Sequence, residues 1–263
     1  MEKYFEIKKD NITIKCKSMY KNLNNINSVI LSCHGFTGSK DNKTAALLGK
    51  ILPEKYSNIM IISFDLPAHG NDESKPLSLA NCNEYLETVI DYIKNKLKID
   101  NIYAQGTSFG GYLLLKYINE HDNPFKMIAP RCPAINIYNA LTDRILTEDQ
   151  IRLLKKGEDI ELGNDKNIII NNNFVDDLKK NDINKKGLFN KYSNEIVVFH
   201  GNMDTLIDFE VVRNFCYMNH ITFIPVIGAD HGFNNDKSLM LFVKGLETFY
   251  NIDDISKEKN LKI

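Results

Sequence analysis

The sequence lacks three features: an excess of charge of one sign, paired cysteines and an apolar run of transmembrane length. Its 33 basic and 34 acidic residues nearly cancel, so no electrostatic patch is predicted for nucleic acid or for an anionic membrane surface. The N-terminal residues alternate charged and apolar side chains, without the uninterrupted apolar run of a secretion signal. The five cysteines are widely scattered, which is typical of reduced thiols. We therefore expect a cytoplasmic protein with no nucleic-acid partner and no stable membrane association.

The motifs of metal and nucleotide chemistry are also missing. The sequence has no His-Glu-x-x-His pattern, no cluster of cysteine and histidine, and no carboxylates at ligand spacing. It has no glycine-rich phosphate loop followed by Lys and then Ser or Thr. Cys33 beside His34 raises the alternative of a thiol nucleophile, but the apolar strand before it favours a small buried side chain. We expect neither a metal nor a cofactor.

The order of apolar and amphipathic segments predicts an α/β protein. Two alternating segments, Tyr4–Ile7 and Ile12–Cys16, predict an edge hairpin. Short apolar runs predict buried strands at Ser28–Cys33, Ile59–Phe64, Ile102–Ala104, Phe125–Ala129, Glu195–Phe199 and Ile221–Val226. Helical spacing predicts helices at Asn83–Leu97 (behind a capping-box variant at Asn81 and Glu84), Gly111–Ile118, Phe209–Met218 and Asp236–Tyr250. Such strands separated by helices indicate a mostly parallel sheet with helices on both faces.

Residues 133–190 interrupt this alternation with a polar segment rich in Asn and Lys, in which one helix is predicted near Glu148–Lys156. An irregular stretch of this length is uncommon inside a compact domain unless it has a function. It is either a loop insertion without function or a cap over a binding site, and its position relative to the motifs below favours the cap. We therefore divide the chain into a first core segment, 1–132, a cap, 133–190, and a second core segment, 191–263.

A candidate nucleophile lies in Gly106-Thr-Ser-Phe-Gly110, which matches the pattern Gly-x-Ser-x-Gly. The pattern places a serine on a tight strand-to-helix turn, where two glycines allow neighbouring backbone to approach closely. The pentapeptide alone is a weak signal, but here an apolar strand precedes Ser108 and a predicted buried helix follows it. The context predicts that the Ser108 hydroxyl is exposed for attack on an acyl carbonyl.

A serine nucleophile requires a base and an acid. His231, in Gly228-Ala-Asp-His-Gly232, follows a predicted strand at the sheet edge where ligands bind in α/β folds. Asp204, in His200-Gly-Asn-Met-Asp204, follows another strand at the same edge and is the predicted acid. Asp208 is expected to cap the next helix, and Asp230 is adjacent to His231 in the chain, so both are weaker candidates. The resulting chain order is Ser, Asp, His.

Two backbone amides are expected to bind the oxyanion of a tetrahedral intermediate. One belongs to Phe109, the residue after the candidate nucleophile. The other belongs to the loop after Cys33, where Phe36 is the predicted donor and Thr37 is the alternative.

These four motifs, in this order and covering nearly the whole chain, resemble the α/β-hydrolase superfamily. Within this superfamily, the chain looks similar to small serine esterases, acylglycerol-lipase-like enzymes and cinnamoyl-esterase-like enzymes. The resemblance implies an eight-stranded sheet, with the cap inserted between its sixth and seventh strands. The segment Asp65–Gly70 departs from the family pattern Asp-x-x-Gly-His-Gly because Ala68 replaces a glycine, and His69 in it is expected to be structural.

The motifs and the resemblance together predict a serine hydrolase that cleaves carboxylic esters. A thioesterase or a serine peptidase would use the same residues, and a non-catalytic binding protein of the same fold is a further alternative. We expect a small-molecule substrate with a hydrophobic acyl group, and a homodimer is left open. The residues Phe174, Tyr138, Leu141 and Ile145 are candidates for the acyl pocket, among which the sequence does not choose.

Overall fold

One mixed sheet of eight strands organises the part of the chain that the structure, a computed structural model, describes: residues 1–162 and 168–252. Its strands are β1 (Glu2–Lys9), β2 (Ile12–Tyr20), β3 (Ser28–Cys33), β4 (Ile59–Phe64), β5 (Asn101–Thr107), β6 (Met127–Arg131), β9 (Val197–Gly201) and β10 (Thr222–Val226). They lie in the order β1-β2-β4-β3-β5-β6-β9-β10. β2 pairs antiparallel with both β1 and β4, and all other neighbours are parallel. The predicted fold class is confirmed.

Helices cover both faces of this sheet. The helices of the core are α1 (Lys43–Lys55), α2 (Leu79–Asp91), α3 (Phe109–Glu120), α7 (Phe209–Met218) and α8 (Asp236–Phe249). Alternate side chains of one strand enter opposite faces: Val29 and Leu31 pack in the core that includes α2 and α3, and Ile30 packs in the core that includes α1 and α8. The strands can therefore be apolar throughout, which is the pattern that marked them in the sequence.

The segment predicted as a cap leaves the sheet after β6, the sixth strand, and returns at β9, the seventh. Its described elements are α4 (Ile137–Ala140), which continues as a wider helical turn to Ile145, α5 (Glu148–Lys155), α6 (Asn172–Lys180), and a two-stranded sheet of β7 (Ile160–Leu162) and β8 (Ile168–Ile170). The predicted helix near Glu148–Lys156 is present as α5. The last residues of the third predicted segment, 253–263, lie outside the described residues.

Several predicted boundaries were wrong, each for a local reason. α2 begins at Leu79, where the Ser78 hydroxyl accepts a hydrogen bond from the Asn81 amide, so Asn81 lies inside the helix and does not cap it. The strand predicted at Phe125–Ala129 begins and ends two residues later, at Met127 and Arg131. It continues past Ala129 because Pro130 pairs with Gly106 of β5. α1, which contains Pro53 and ends two residues after it at Lys55, was not predicted. The shift of β6 puts Arg131 at the carboxyl edge of the sheet.

The loop after β4 contains the departure from the family pattern. Ala68 adopts a left-handed backbone conformation, with φ of 61°, which a glycine adopts more readily. Its amide donates to a carboxylate oxygen of Asp72 at 3.0 Å. The neighbouring His69 is buried, with its Nδ1 2.8 Å from the carbonyl of Pro67.

None of the helices between residues 1 and 162 or between 168 and 252 is both long enough and apolar enough to cross a membrane.

Three histidines are buried in the neutral form. Burial, and then the nearby His69, lower the pKa of His34 to about 3. Burial also lowers the pKa values of His69 and His200. In the unfolded chain each would titrate near its ordinary pKa of about 6.5. Below that pH the unfolded state binds more protons than the folded state, so acidification destabilises the fold.

We therefore predict that the free energy of unfolding, measured by urea titration, falls as the pH is lowered from about 6.5 to 5. Each of the three histidines contributes a slope of up to about 1.4 kcal/mol per pH unit. His69→Gln removes the contribution of one histidine, so it reduces the slope by up to about 1.4 kcal/mol per pH unit. His220→Asn is the control because His220 is exposed and Asn tolerates its positive φ of 55°. A free energy of unfolding that is flat over this range contradicts the account.

Candidate active site

Ser108 lies on the turn between β5 and α3 in a strained backbone conformation, with φ of 52° and ψ of −113°. The two glycines of the motif make this turn possible. A Cβ atom on Gly110 would lie 2.4 Å from the carbonyl oxygen of Cys33, and one on Gly106 would lie 2.6 Å from the carbonyl carbon of Gly110. The close approach of α3 to β3 and β5 therefore requires glycine at both positions, as the motif predicts.

His231 and Asp204 come together at the same edge of the sheet. His231 follows β10 and Asp204 follows β9, and Nδ1 of His231 lies 2.7 Å from Oδ2 of Asp204. The other oxygen, Oδ1, accepts hydrogen bonds from the amides of Leu206 and Ile207, both at 2.9 Å. Burial raises the pKa of the Asp204 carboxyl. The hydrogen bond and charge of His231, together with the amide of Ile207 and the charge of His200, outweigh burial, so the pKa of Asp204 lies below its ordinary value. The carboxylate is therefore ionised beside the imidazole.

The two competing carboxylates are used elsewhere. Asp208 caps α7, where its Oδ1 accepts from the amides of Glu210 and Val211 at 2.9 and 3.1 Å. Asp230 accepts from the amide and the side chain of Asn234 at 2.9 and 2.8 Å. Among the three candidates, Asp204 is the one that contacts His231.

A second histidine contacts Asp204 and was not predicted. His200, the last but one residue of β9, is fully buried, and its Nε2 lies 3.3 Å from Oδ2 of Asp204 and 3.1 Å from the carbonyl oxygen of Ile207. The sequence signal was its position four residues before Asp204, in the same motif. One carboxylate thus faces two imidazoles.

Ser108 and His231 line one cavity, but in the part of the chain that the structure describes no hydrogen bond joins the serine hydroxyl to the imidazole ring. Catalytic hydrogen bonds are often long in unliganded enzymes and tighten when substrate binds.

The loop after β3 lies against the serine turn. A Cβ atom on Gly35 would lie 3.2 Å from the carbonyl of Thr107 and 3.4 Å from Cβ of Ser108. His34 holds the loop: its Nδ1 is 2.7 Å from the carbonyl of Gly35, and its Nε2 accepts from the amide of Leu66 at 3.1 Å. The loop that carries the predicted second amide donor therefore lies against the serine turn, and the donor itself, Phe36 or Thr37, stays a prediction.

The cavity in front of Ser108 has a volume of about 380 Å³ of space between atoms, including its open mouth. Its polar lining residues are Ser108 and His231. The apolar residues that line it are Phe36, Phe109, Ala134, Ile137, Ala140, Leu141, Ile145, Phe174, Leu178, Leu206 and Ile207. Of the four pocket candidates, Phe174, Leu141 and Ile145 therefore line it. Tyr138 lines a neighbouring, more polar cavity in the segment predicted as the cap.

Three phenylalanines form the aromatic wall of this cavity. Phe36 comes from the loop after β3, Phe109 from α3 and Phe174 from α6 of the predicted cap. The rings of Phe36 and Phe109 meet edge to face at 5.6 Å, and the ring of Phe174 lies 6.4 Å from each. The predicted cap thus supplies part of this aromatic wall, beside the ring of Phe36 from the loop after β3.

One group of metal-type ligands occurs among the described residues: Cys132, His200 and Asp204 have ligating atoms within 4.8 Å of one another. The carboxylate and the imidazole already engage other partners. Burial raises the pKa of the Cys132 thiol, and the charge of Asp204 raises it further. The thiol is therefore protonated, and the group is a buried hydrogen-bonding cluster behind the candidate acid.

Comparisons with known proteins agree with the fold. Residues 28–155 match a family described as having the alpha/beta hydrolase fold. Est1E from Butyrivibrio proteoclasticus, solved with ferulic acid bound, has a TM-score of 0.72 and 19% identity, over 93% of this chain and 97% of its own. The mouse alpha/beta hydrolase domain-containing protein 10 has a TM-score of 0.72 and 12% identity, over 96% and 99% of the two chains. The esterase Pf2001 from Pyrococcus furiosus has a TM-score of 0.67 and 16% identity, over 95% and 92%.

No curated protein sequence matches the chain significantly. The family match, the structural neighbours and the eight-stranded sheet nevertheless agree with one another. They confirm the resemblance that the four motifs predict: the chain is a protein of the α/β-hydrolase fold.

Proposed function

We propose that this protein is a serine hydrolase that cleaves carboxylic esters through an acyl-enzyme on Ser108. The observation that carries the proposal is the 2.7 Å contact between His231 and the buried carboxylate of Asp204. The same histidine lines a cavity together with Ser108. A carboxylate in that position fixes the tautomer that leaves Nε2 free to accept a proton. The strained turn of Ser108 supports the assignment, because such strain concentrates at active sites.

In the proposed reaction His231 takes the proton of Ser108 as the hydroxyl attacks the ester carbonyl. The amides of Phe109, at the N-terminus of α3, and of Phe36 stabilise the oxyanion of the tetrahedral intermediate. His231 then protonates the departing alcohol. Water, deprotonated by the same histidine, hydrolyses the acyl-enzyme and releases the acid.

The apolar lining of the cavity favours a substrate with an uncharged, hydrophobic acyl group. No charged side chain lines it among the described residues, and its aromatic wall suits a flat or branched apolar group. A charged acyl group would lose its hydration there without gaining a partner. The ferulic acid bound to the structurally similar Est1E is an aromatic acid of this general kind.

The competing functions use the same geometry. A thioesterase or a serine peptidase would need the same three residues, so the bond that is cleaved is decided by assay. A non-catalytic binding protein would keep the cavity but would not need a strained serine facing a histidine paired with a buried carboxylate.

The first test is turnover of p-nitrophenyl esters from acetate to palmitate, and of a cinnamoyl ester, by wild type and Ser108→Ala. We expect wild-type turnover, and a loss of at least about a thousandfold in Ser108→Ala. Ser57→Ala is the control, since Ser57 is exposed and precedes β4 at the opposite edge of the sheet.

Absence of turnover on every ester, with Ser108 still labelled by a fluorophosphonate, favours the thioesterase or the peptidase. Absence of both turnover and labelling contradicts the proposed chemistry.

The acyl preference is tested at Phe174, the aromatic residue that the predicted cap contributes to the cavity. Phe174→Leu and Phe174→Ala enlarge the cavity. We therefore expect the ester with the highest kcat/KM to have a longer acyl chain in these variants than in the wild type. A methylene group in such a pocket is worth about 1–3 kcal/mol, or roughly 10- to 200-fold in kcat/KM. Tyr138→Ala is the control because Tyr138 lines the other cavity. A chain-length profile that is the same in all four proteins shows that the acyl group binds elsewhere.

A further inference from the structure

Arg131, at the carboxyl end of β6, carries a buried guanidinium. Its side chain is 4% exposed, and among the described residues no carboxylate lies within ion-pair distance of it. Burial lowers the pKa of its guanidinium, although Cys132, Asp204 and Asp230 act in the opposite direction. A buried charge without a partner is costly, so its presence calls for a compensating role.

The guanidinium joins the segments that carry the proposed nucleophile and base. Its Nη1 donates to the backbone carbonyl of His231 at 3.1 Å. Its Nη2 donates to the hydroxyl of Thr107, the residue before Ser108, at 3.2 Å. Nη2 also donates to the hydroxyl of Thr44 at 3.3 Å. Thr44 lies in the first turn of α1, the helix that comes after the β3 loop containing Phe36.

The backbone of the same residue holds the serine turn. The carbonyl oxygen of Arg131 accepts the amide proton of Ser108 at 3.0 Å. The next residue, Cys132, donates its amide to the carbonyl of Phe199 on β9 at 2.8 Å, two residues before that strand ends. The end of β6 therefore touches the segments that precede both the serine and the acid.

Aromatic rings keep the guanidinium in this orientation. Its central carbon lies 4.7 Å from the ring centre of Phe233, two residues after His231, and 6.0 Å from that of Phe242 on α8. Stacking of a guanidinium on an aromatic face offsets part of the cost of burying the charge. It also fixes the loop that carries His231 from a second side.

We propose that Arg131 is a positioning residue that holds the His231 loop and the Ser108 turn at the separation that proton transfer requires. The proposal rests on the proposed function, in which His231 takes the proton of Ser108. Arginine suits this role because its planar fork reaches several acceptors at once, whereas a lysine ammonium projects from a single point. The separation matters because a displacement of about 1 Å in an active site costs on the order of a hundredfold in rate.

The test compares Arg131→Met, which keeps the apolar stem, with Arg131→Lys, which keeps the charge, and Thr107→Val, which removes one acceptor. The control is Val243→Ala, a buried change in α8 that lowers stability without touching the site. Four quantities are measured in each folded protein: kcat and KM on one ester, the rate of labelling of Ser108 by a fluorophosphonate, and the low-field proton NMR signal of the His231–Asp204 hydrogen bond.

We expect kcat and the labelling rate of Arg131→Met to fall by about 10- to 100-fold, with KM within about twofold of wild type. Arg131→Lys recovers part of the loss, and Thr107→Val loses about two- to fivefold. The NMR signal shifts or broadens in Arg131→Met. Val243→Ala keeps both kcat and the NMR signal, even where it lowers the thermal stability as much as Arg131→Met does.

The proposal is overturned if folded Arg131→Met keeps kcat and the NMR signal, or if Val243→Ala shows the same loss at the same stability. If Arg131→Met does not fold, Arg131→Lys and Thr107→Val decide by the same measurements. A wild type that neither turns over esters nor reacts at Ser108 contradicts the proposed function instead. In that case the NMR signal alone decides whether Arg131 positions His231.

Discussion

The buried carboxylate of Asp204 is the group on which the rest of the candidate site depends. It has no access to solvent, so its charge must be balanced by the protein. Oδ1 accepts two backbone amides, and Oδ2 faces His231 at 2.7 Å and His200 at 3.3 Å. A hydrogen bond to a charged group contributes about 1.5–3 kcal/mol, so this network favours one position of the His231 ring.

Sheet topology brings the site together. Parallel strands end at a common edge, and β5, β6, β9 and β10 deliver to it Ser108, Arg131, Asp204 and His231, which are spread over residues 108–231 of the chain. The turn of Ser108 is possible because α3 approaches the sheet over glycines. The apolar cavity is then completed by Phe174 and its neighbours from the segment between β6 and β9. Rigid elements position the polar groups, and the segment between β6 and β9 shapes the apolar cavity beside them.

The sequence predicted the parts of this arrangement that depend on local patterns. The bounds of β3, β4 and α7 agree with the prediction, because continuous apolar runs and helical spacing are local signals. The contact of His231 with Asp204, rather than with Asp208 or Asp230, also agrees with the chain order of the motifs.

Arg131 and His200 were missed because their significance depends on contacts between distant segments. Nothing in the local sequence indicates that an arginine after a proline is buried, or that its guanidinium contacts the carbonyl of His231 a hundred residues later. The strand containing Arg131 was ended too early because Pro130 is a usual strand terminator. The elements of the predicted cap were mostly missed because they are short: β7 and β8 have three residues each, α4 has four and α6 has nine.

The most direct test of the central claim is the activity of Asp204→Asn beside Asp208→Asn, on whichever activated ester the wild type hydrolyses. Asn at 204 keeps an acceptor for the amides of Leu206 and Ile207, so folding should be retained, but its amide group favours the wrong tautomer of His231. We predict that kcat falls by about ten-thousandfold in Asp204→Asn. Asp208→Asn should stay close to wild type, because Asn also caps helices well. An Asp204→Asn protein that is folded and keeps most of its activity would contradict the assignment of Asp204 as the acid that orients the base.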